Sequence, residues 1–448
     1  MDTSQVVRAS AAARLDRLPI VSSHRRILWL MSFIFFFELG DLNTFAFAAP
    51  AVRQAWQLTI PMLSFIVSAT FIGMFIGATT GGWFSDRLGR KKALMVTTLW
   101  YSGFSLLNAF AWGPSGLFVT RLLTGLGLSA MTVVGITYIS EMFPARLRGT
   151  YQGWIMTVGL CGIPATAYVA RFCIPLAPWG WRLVFVWGSL GVLFPLFARR
   201  LEESPLWYEN QGRFDEADAV LDRLEVTARA ESGDLPAVRD AVPVVQATTR
   251  RGRFAELFSG SNLPRTLLLV FAWICQTLGF YGFTAWVPTL LVSHGFSLVQ
   301  SLTWSSAMSL GAVPGALIAA LISDRWNRKY WIAIVALLIA GCGLTYGLSF
   351  RTGMIVVFGF LVTMLIQTFA PLLYAYTAEC FPTGIRNSGT GLTYGVGRLA
   401  NAFGPLLVAF LYGHYGYASV FMYIATTWIL VAIAIGGFGP LTRGKILA

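Results

Sequence analysis

The chain has 448 residues, a formal net charge of +13, 56% hydrophobic residues and only 12% charged ones. Soluble globular proteins carry roughly 25% charged residues, so this composition weighs against a soluble enzyme or nucleic-acid binder and points to a membrane protein. The positive charge is not a nucleic-acid footprint, because basic residues sit in short loops at every second predicted helix end, for example "HRR" at 24–26, "DRLGRKK" at 86–92, "RLRG" at 146–149 and "DRWNRK" at 324–329. That is the positive-inside pattern, and it places the N-terminus, the central loop and the C-terminus in the cytoplasm.

A bilayer core about 30 Å thick needs roughly 20 apolar residues per helix. Twelve such segments begin near residues 27, 61, 93, 116, 150, 180, 264, 299, 330, 353, 388 and 417. Runs this long and apolar cross a bilayer only as helices, since barrel strands would be short and alternating. The expected fold is therefore all-α, with twelve transmembrane helices. The chain divides into a cytoplasmic tail (1–26), a six-helix bundle (27–198), a cytoplasmic linker (199–263), a second six-helix bundle (264–440) and a tail (441–448). The polar or mixed stretch before the first segment does not make a cleavable signal.

The first segment carries "FFFELGDLNTF" at 35–45, with Glu38 and Asp41 in an otherwise apolar run. An ionisable residue at the bilayer centre costs about 2.5–3.5 kcal/mol on insertion scales, so each one embedded there needs a reason. Counting up from Ile27, Asp41 lies roughly 21 Å into the core at about 1.5 Å per residue. Arg121, a turn and a half down the fourth segment, comes out at nearly the same depth and can face Asp41 if the two helices are neighbours. Glu38 is one turn closer to the cytoplasm. It shares the proton, touches the substrate or braces the helix, and the sequence leaves all three open.

The linker turns polar. Ser204 and Pro205 in "SPLWYENQGRFDEADAVLDRLE" are an N-cap and a first helical residue, so short surface helices follow. In the seventh segment "CQTLGFYGFTAW" supplies Gln276, Tyr281 and Trp286, Gln367 lies in the tenth, and Tyr394 stands one turn before Arg398 in the eleventh. Arg398 falls near the midplane, where a guanidinium fork suits a carboxylate. Amides and aromatic rings around one cation suit a flat carboxylate better than a hexose, which needs more hydrogen-bonding groups. Arg53 and Arg171 fall at outer helix ends and are expected to snorkel to the headgroups. The five cysteines and three histidines lack ligand spacing, so no disulfide framework, metal or other cofactor is expected. His24 is expected at a solvated boundary. No nucleophile–base pair or phosphate-cradling loop indicates an enzyme.

The chain repeats itself. "SDRLGRK" at 85–91 returns as "SDRWNRK" at 323–329, and "EMFPARLR" at 141–148 returns as "ECFPTGIR" at 379–386, so both motifs recur after the same interval. Parallel halves of this kind build alternating-access transporters with a site between them. The repeated loop residues, Asp86, Arg87, Arg90, Lys91, Glu141 and Arg148 with Asp324, Arg325, Arg328, Lys329, Glu379 and Arg386, are expected to pair across helix ends only while the cytoplasmic side is closed. They would then latch the outward-facing state.

"GGWFSDRLGRKK", "ISDRWNRK" and "RLLTGLGLSAMTVVGITYISEMFPARLRG" resemble the signatures of the major facilitator superfamily over nearly the whole chain. With "EESPLWYENQGRF", they resemble the branch holding sugar porters, bacterial aromatic-acid:proton symporters and animal organic-ion transporters. "ELGD" is similar to the aromatic-acid symporters' acid-Gly-x-Asp motif, with the Gly displaced to position 40. "FPTGIRNSGTGLTYGVGRLANAFGP" resembles organic-anion carriers at Arg398, and Leu206 stands where sugar porters have Arg. The resemblance implies a monomeric inner-membrane symporter that uses protons as coupling ion, Asp41, Arg121 and Glu38 handling the proton. It would import a small organic anion, with a sugar:proton symporter or a metabolite exporter as the alternatives.

Overall fold

The computed structural model describes residues 10–238, 254–260, 262–322, 327–349, 351–382 and 385–442. These residues are almost entirely helical. A short helix α1 (Ala11–Asp16) precedes α2 (Ser22–Trp56), α3 (Ile60–Leu88), α4 (Arg90–Ala109) and α5 (Pro114–Met142). One span is then built from α6 (Ala145–Leu160) and α7 (Gly162–Cys173), and the next from α8 (Trp181–Gly188) and α9 (Phe194–Ala198). The linker contributes α10 (Pro205–Asn210) and α11 (Phe214–Ser232). The second half follows with α12 (Asn262–Thr284), α13 (Val287–Ser293), α14 (Leu298–Ser309), α15 (Ala312–Ile322), α16 (Arg328–Leu348), α17 (Thr352–Cys380), α18 (Arg386–Tyr415) and α19 (Tyr417–Ile433).

Among the described residues, eleven helical stretches are long and apolar enough to cross a bilayer. The twelfth predicted span is α4, 20 residues long but polar on one side. Thr97, Thr98, Ser102, Ser105 and Asn108 are all buried, so these groups face neighbouring helices and not lipid. The internal repeat extends to helix boundaries. Starts at Ile60, Arg90 and Pro114 (α3, α4 and α5) are matched after the same interval by starts at Leu298, Arg328 and Thr352 (α14, α16 and α17). The α5 end at Met142 is matched in the same way by the α17 end at Cys380. The protein is an all-α membrane protein with twelve transmembrane helices in two pseudo-symmetric bundles of six.

Within the first half, α3 and α5 touch backbone to backbone. A Cβ added at Gly73 would sit 1.9 Å from the Leu122 carbonyl oxygen, and one at Gly77 2.0 Å from that of Leu126. Close contact through small residues is how helices associate where lipid gives no hydrophobic drive. It carries Arg121 on α5 up against Thr70 on α3.

The linker helices lie on the face where α3, α5 and α17 end and α6 begins, the linker face. Ser204 caps α10 by accepting from the Trp207 amide at 3.1 Å. Arg14 on α1 pairs with Asp218 (3.0 Å), Asp222 (2.6 Å) and Glu225 (2.8 Å) of α11, and Arg17 with Glu225 (2.7 Å). Asp16 accepts the Ala145 amide at 2.7 Å, tying the same short helix to the start of α6. Burial works to raise the Glu225 carboxyl, but hydrogen bonds and charge from the two arginines hold it below the usual glutamate range. His24 is buried inside α2, its Nδ1 near the Val21 amide at 3.4 Å, and not at the solvated boundary expected of it.

Candidate functional site

A cavity of about 960 Å³ lies between the halves. α2, α5, α6, α12, α15, α17 and α18 line it, and it runs down to the exposed Gly149, Thr150 and Gly153 at the start of α6. It therefore opens on the linker face. On the opposite face the halves meet. Arg53 donates to Ser293 Oγ at 2.6 Å, Arg171 to the Thr303 hydroxyl, and Ser306 to the Ala167 carbonyl at 2.9 Å. Arg53 and Arg171 are thus pinned across the two halves instead of snorkelling. A guanidinium at the rim of a closed interface finds fixed acceptors there, which headgroups do not offer.

Arg398 reaches into the cavity from α18. Its Nε donates to the Tyr394 hydroxyl at 2.8 Å and its Nη1 to the Tyr281 hydroxyl at 3.0 Å, with Met74 Sδ of the other half at 3.8 Å from Nη1. The guanidinium carbon stands 4.9 Å from the centre of the Tyr394 ring. Nη2 makes no hydrogen bond to the described residues, so it is presented to the cavity. Tyr281 also packs edge-on against Phe71 of the first half, centroids 4.6 Å apart. Gln276 and Gln367 line the same cavity, as do Trp273 and Tyr374, neither of which stands out in the sequence. Trp273 stacks edge-on to Tyr374 (4.7 Å) and Tyr394 (5.4 Å), completing an aromatic wall beside the cation.

Trp286 does not join this wall. It is 1% exposed and packed in the hydrophobic core, because α12 has ended at Thr284 and the backbone turns before α13. The expectation that it lines the site is corrected.

The two acids of α2 part company. Glu38 lines the cavity, and its Oε1 accepts from Thr132 of α5 at 2.8 Å, while Oε2 is buried without a protein partner. Asp41 is fully buried on a neighbouring side of the helix, outside the cavity. Its Oδ1 accepts from Ser105 of α4 at 2.5 Å, and the Thr44 hydroxyl, which donates to the Asp41 carbonyl at 2.7 Å, lies 3.3 Å from the same oxygen. Gly188 of α8 leaves room for it, since a Cβ there would come 2.1 Å from Oδ1. Arg121, 1% exposed, lies at matching depth but does not pair with Asp41 directly. Its Nε donates to Thr70 at 3.1 Å and its Nη1 to Thr44 at 3.5 Å, so the Thr44 hydroxyl stands between acid and base. The direct contact that depth permitted is corrected to a bridged one. Thr44, Thr70, Ser105 and Thr132 were missed, because a lone hydroxyl in an apolar helix usually bonds its own i−4 carbonyl and carries no pattern.

Of the repeated loop residues, Arg90 bonds Glu141 (2.9 Å) and Asp86 (2.6 Å), and Arg328 pairs with Glu379. Lys91 reaches the Arg199 carbonyl, Lys329 that of Gly439, Arg148 that of Phe143 and Arg386 that of Phe381, while Arg87 lies over the Trp83 ring. Asp324 and Arg325 lie outside the described residues. Each of these contacts stays within one half and is made with the linker face open. The expectation of pairs formed only when that face is closed is corrected: Arg90 and its acids sit on α3, α4 and α5 of one half, so their pairing does not need the two halves to meet.

Relatives agree with this architecture. The Bacillus subtilis protein YyaJ is 44% identical over 438 residues, covering 98% of this chain and 97% of that one. The niacin transporter NiaP of Acinetobacter baylyi is 32% identical over 440 residues, covering 97% and 98%. The crystal structure of a D-xylose–proton symporter superposes with a TM-score of 0.76 at 18% identity, covering 95% of this chain and 100% of that one. The profile of the sugar (and other) transporter family matches residues 26–448. With two six-helix bundles closed over an inter-half cavity, the chain belongs to that family of the major facilitator superfamily, and is a multi-pass membrane transporter and not an enzyme.

Proposed function

We propose that the protein is a proton-coupled symporter that imports a small aromatic monocarboxylate across a bacterial inner membrane, as a monomer. The observation that carries this reading is Arg398, held by two tyrosine hydroxyls with Nη2 free toward a cavity walled by Trp273, Tyr374 and Tyr394. A cation among aromatic faces fits a flat anion. The name of the niacin-transporting relative supports the same class. The loop charges assign the linker face to the cytoplasm, so the open cavity is that of an inward-facing state.

Asp41 and Arg121 handle the proton, and they do so buried beside the cavity and not within it. Desolvation disfavours the charged acid while Arg121 favours it, so protonation and pairing compete. A proton taken by Asp41 loosens its link through Thr44 to Arg121 and lets α2 shift while the anion sits against Arg398. One proton moving with one monoanion carries no net charge.

In proteoliposomes, a pH gradient should drive uptake of benzoate or nicotinate, and hexoses should not compete. Arg398→Ala should abolish uptake of both acids. Asp41→Asn should lose accumulation driven by the gradient while retaining exchange of substrate across the membrane. Full gradient-driven accumulation in Asp41→Asn, or competition by hexoses alone, would sink the reading.

A further inference from the structure

Glu38 is a polar group that the coupling pair leaves over. It is 3% exposed and lines the cavity that also holds Arg398. Only Oε1 is satisfied, by Thr132; Oε2 is buried with no partner in the protein. Bracing α2 against α5 needs one oxygen, and the Thr132 bond supplies that brace in full. The second oxygen therefore demands another donor. While the cavity is open to the linker face, water can serve. When the halves close on a substrate, water is expelled, and a carboxylate oxygen left without a donor in a dry site is strongly disfavoured.

We propose that Glu38 is a specificity residue that reads a hydrogen-bond donor on the substrate, across the bound molecule from the carboxylate that Arg398 holds. The substrates preferred are then aromatic acids bearing a ring hydroxyl or a ring N–H, and benzoate and nicotinate, which carry no such donor at neutral pH, are taken up less readily. An ionised glutamate only accepts, so a ligand without a donor leaves Oε2 unpaired in the closed state. Sites built to bond a substrate hydroxyl reject the analogue lacking it far more strongly than apolar pockets reject an extra methylene. This assignment rests on the carboxylate reading of Arg398, and it removes Glu38 from the proton-handling set.

The test is a competition series in proteoliposomes with 4-hydroxybenzoate, 4-methoxybenzoate and benzoate, scored as the ratio of half-inhibitory concentrations. The full-length wild-type protein should prefer 4-hydroxybenzoate over both others by about tenfold or more. In Glu38→Gln that ratio should fall toward one, because an amide can also donate and carries no charge. Thr132→Val, which removes the one protein donor to Glu38, should hold the ratio at or above the wild-type value and provides a readout if Glu38→Gln fails to fold. Equal inhibition by all three acids in the wild type, or a ratio unchanged in Glu38→Gln, would overturn the inference while leaving the Arg398 reading intact. Inhibition by none of the three would overturn both.

Discussion

Ser105 on α4 donates a 2.5 Å hydrogen bond to Oδ1 of Asp41 on α2, both residues fully buried. The bond joins the most polar of the spanning helices to the acid proposed to carry the proton, and it lies outside the cavity. Bonds to a charged acceptor contribute roughly 1.5–3 kcal/mol. Ser105→Ala should therefore destabilise the detergent-solubilised protein by about 1–3 kcal/mol. Thermal unfolding in a double-mutant cycle with Asp41→Asn checks this: the loss should shrink by at least half when the carboxylate is absent. An equal loss in both backgrounds would mean that Ser105 acts by packing alone.

Gly188 offers a sharper probe of the same acid. A methyl group there would sit 2.1 Å from Asp41 Oδ1, so Gly188→Ala must push the carboxylate off Ser105. Overpacking of this kind costs about 1–3 kcal/mol, which leaves a folded protein. Uptake driven by a pH gradient should fall by an order of magnitude or more, while monodisperse elution and helical circular dichroism are retained.

The face opposite the linker is closed by hydrogen bonds from Arg53 to Ser293 and from Arg171 to Thr303. Both arginines are partly exposed, so each bond holds the closed form by about 1 kcal/mol. Removing both, as Arg53→Ala with Arg171→Ala, should raise the population open on that face roughly tenfold or more. Spin labels at Gln54 and Val299, exposed residues on opposite halves, would report it as a longer distance component.

The clip between α1 and α11 is pH-sensitive in a definite direction. Arginine pairing depresses the Glu225 carboxyl in the folded protein, so the clip's contribution is complete above the usual glutamate value of about 4.3. It is lost as pH falls through the lower folded value. Protection of residues 11–17 from hydrogen exchange, relative to the intrinsic rate at each pH, should be high at neutral pH and fall only below about pH 4. In Glu225→Gln exchange should be fast at neutral pH as well, and a protected segment in that variant would show that the clip does not depend on this carboxylate.

Sequence by itself determined the number of spans and the two-fold repeat. Apolar runs of roughly 20 residues admit only helices in a bilayer, and the constant displacement of "SDR" and "FP" motifs reappears as the displacement of whole helix boundaries. It also determined that Glu38, Asp41, Arg121 and Arg398 needed a reason to be embedded, because charge in hydrocarbon is costly whatever the fold. Tertiary structure decided what each of them faces. Three residues along a helix leave two side chains about 60° apart around its axis, and the neighbours on each side decide the rest: Glu38 meets the cavity while Asp41 meets α4 and α8. Thr70 became a partner of Arg121 because Gly73 and Gly77 let α3 pack on the α5 backbone, and Ser105 became a partner of Asp41 because α4 lies beside α2. Such crossings depend on distances between segments far apart in the chain. Composition and periodicity describe each helix alone and contain no term for them.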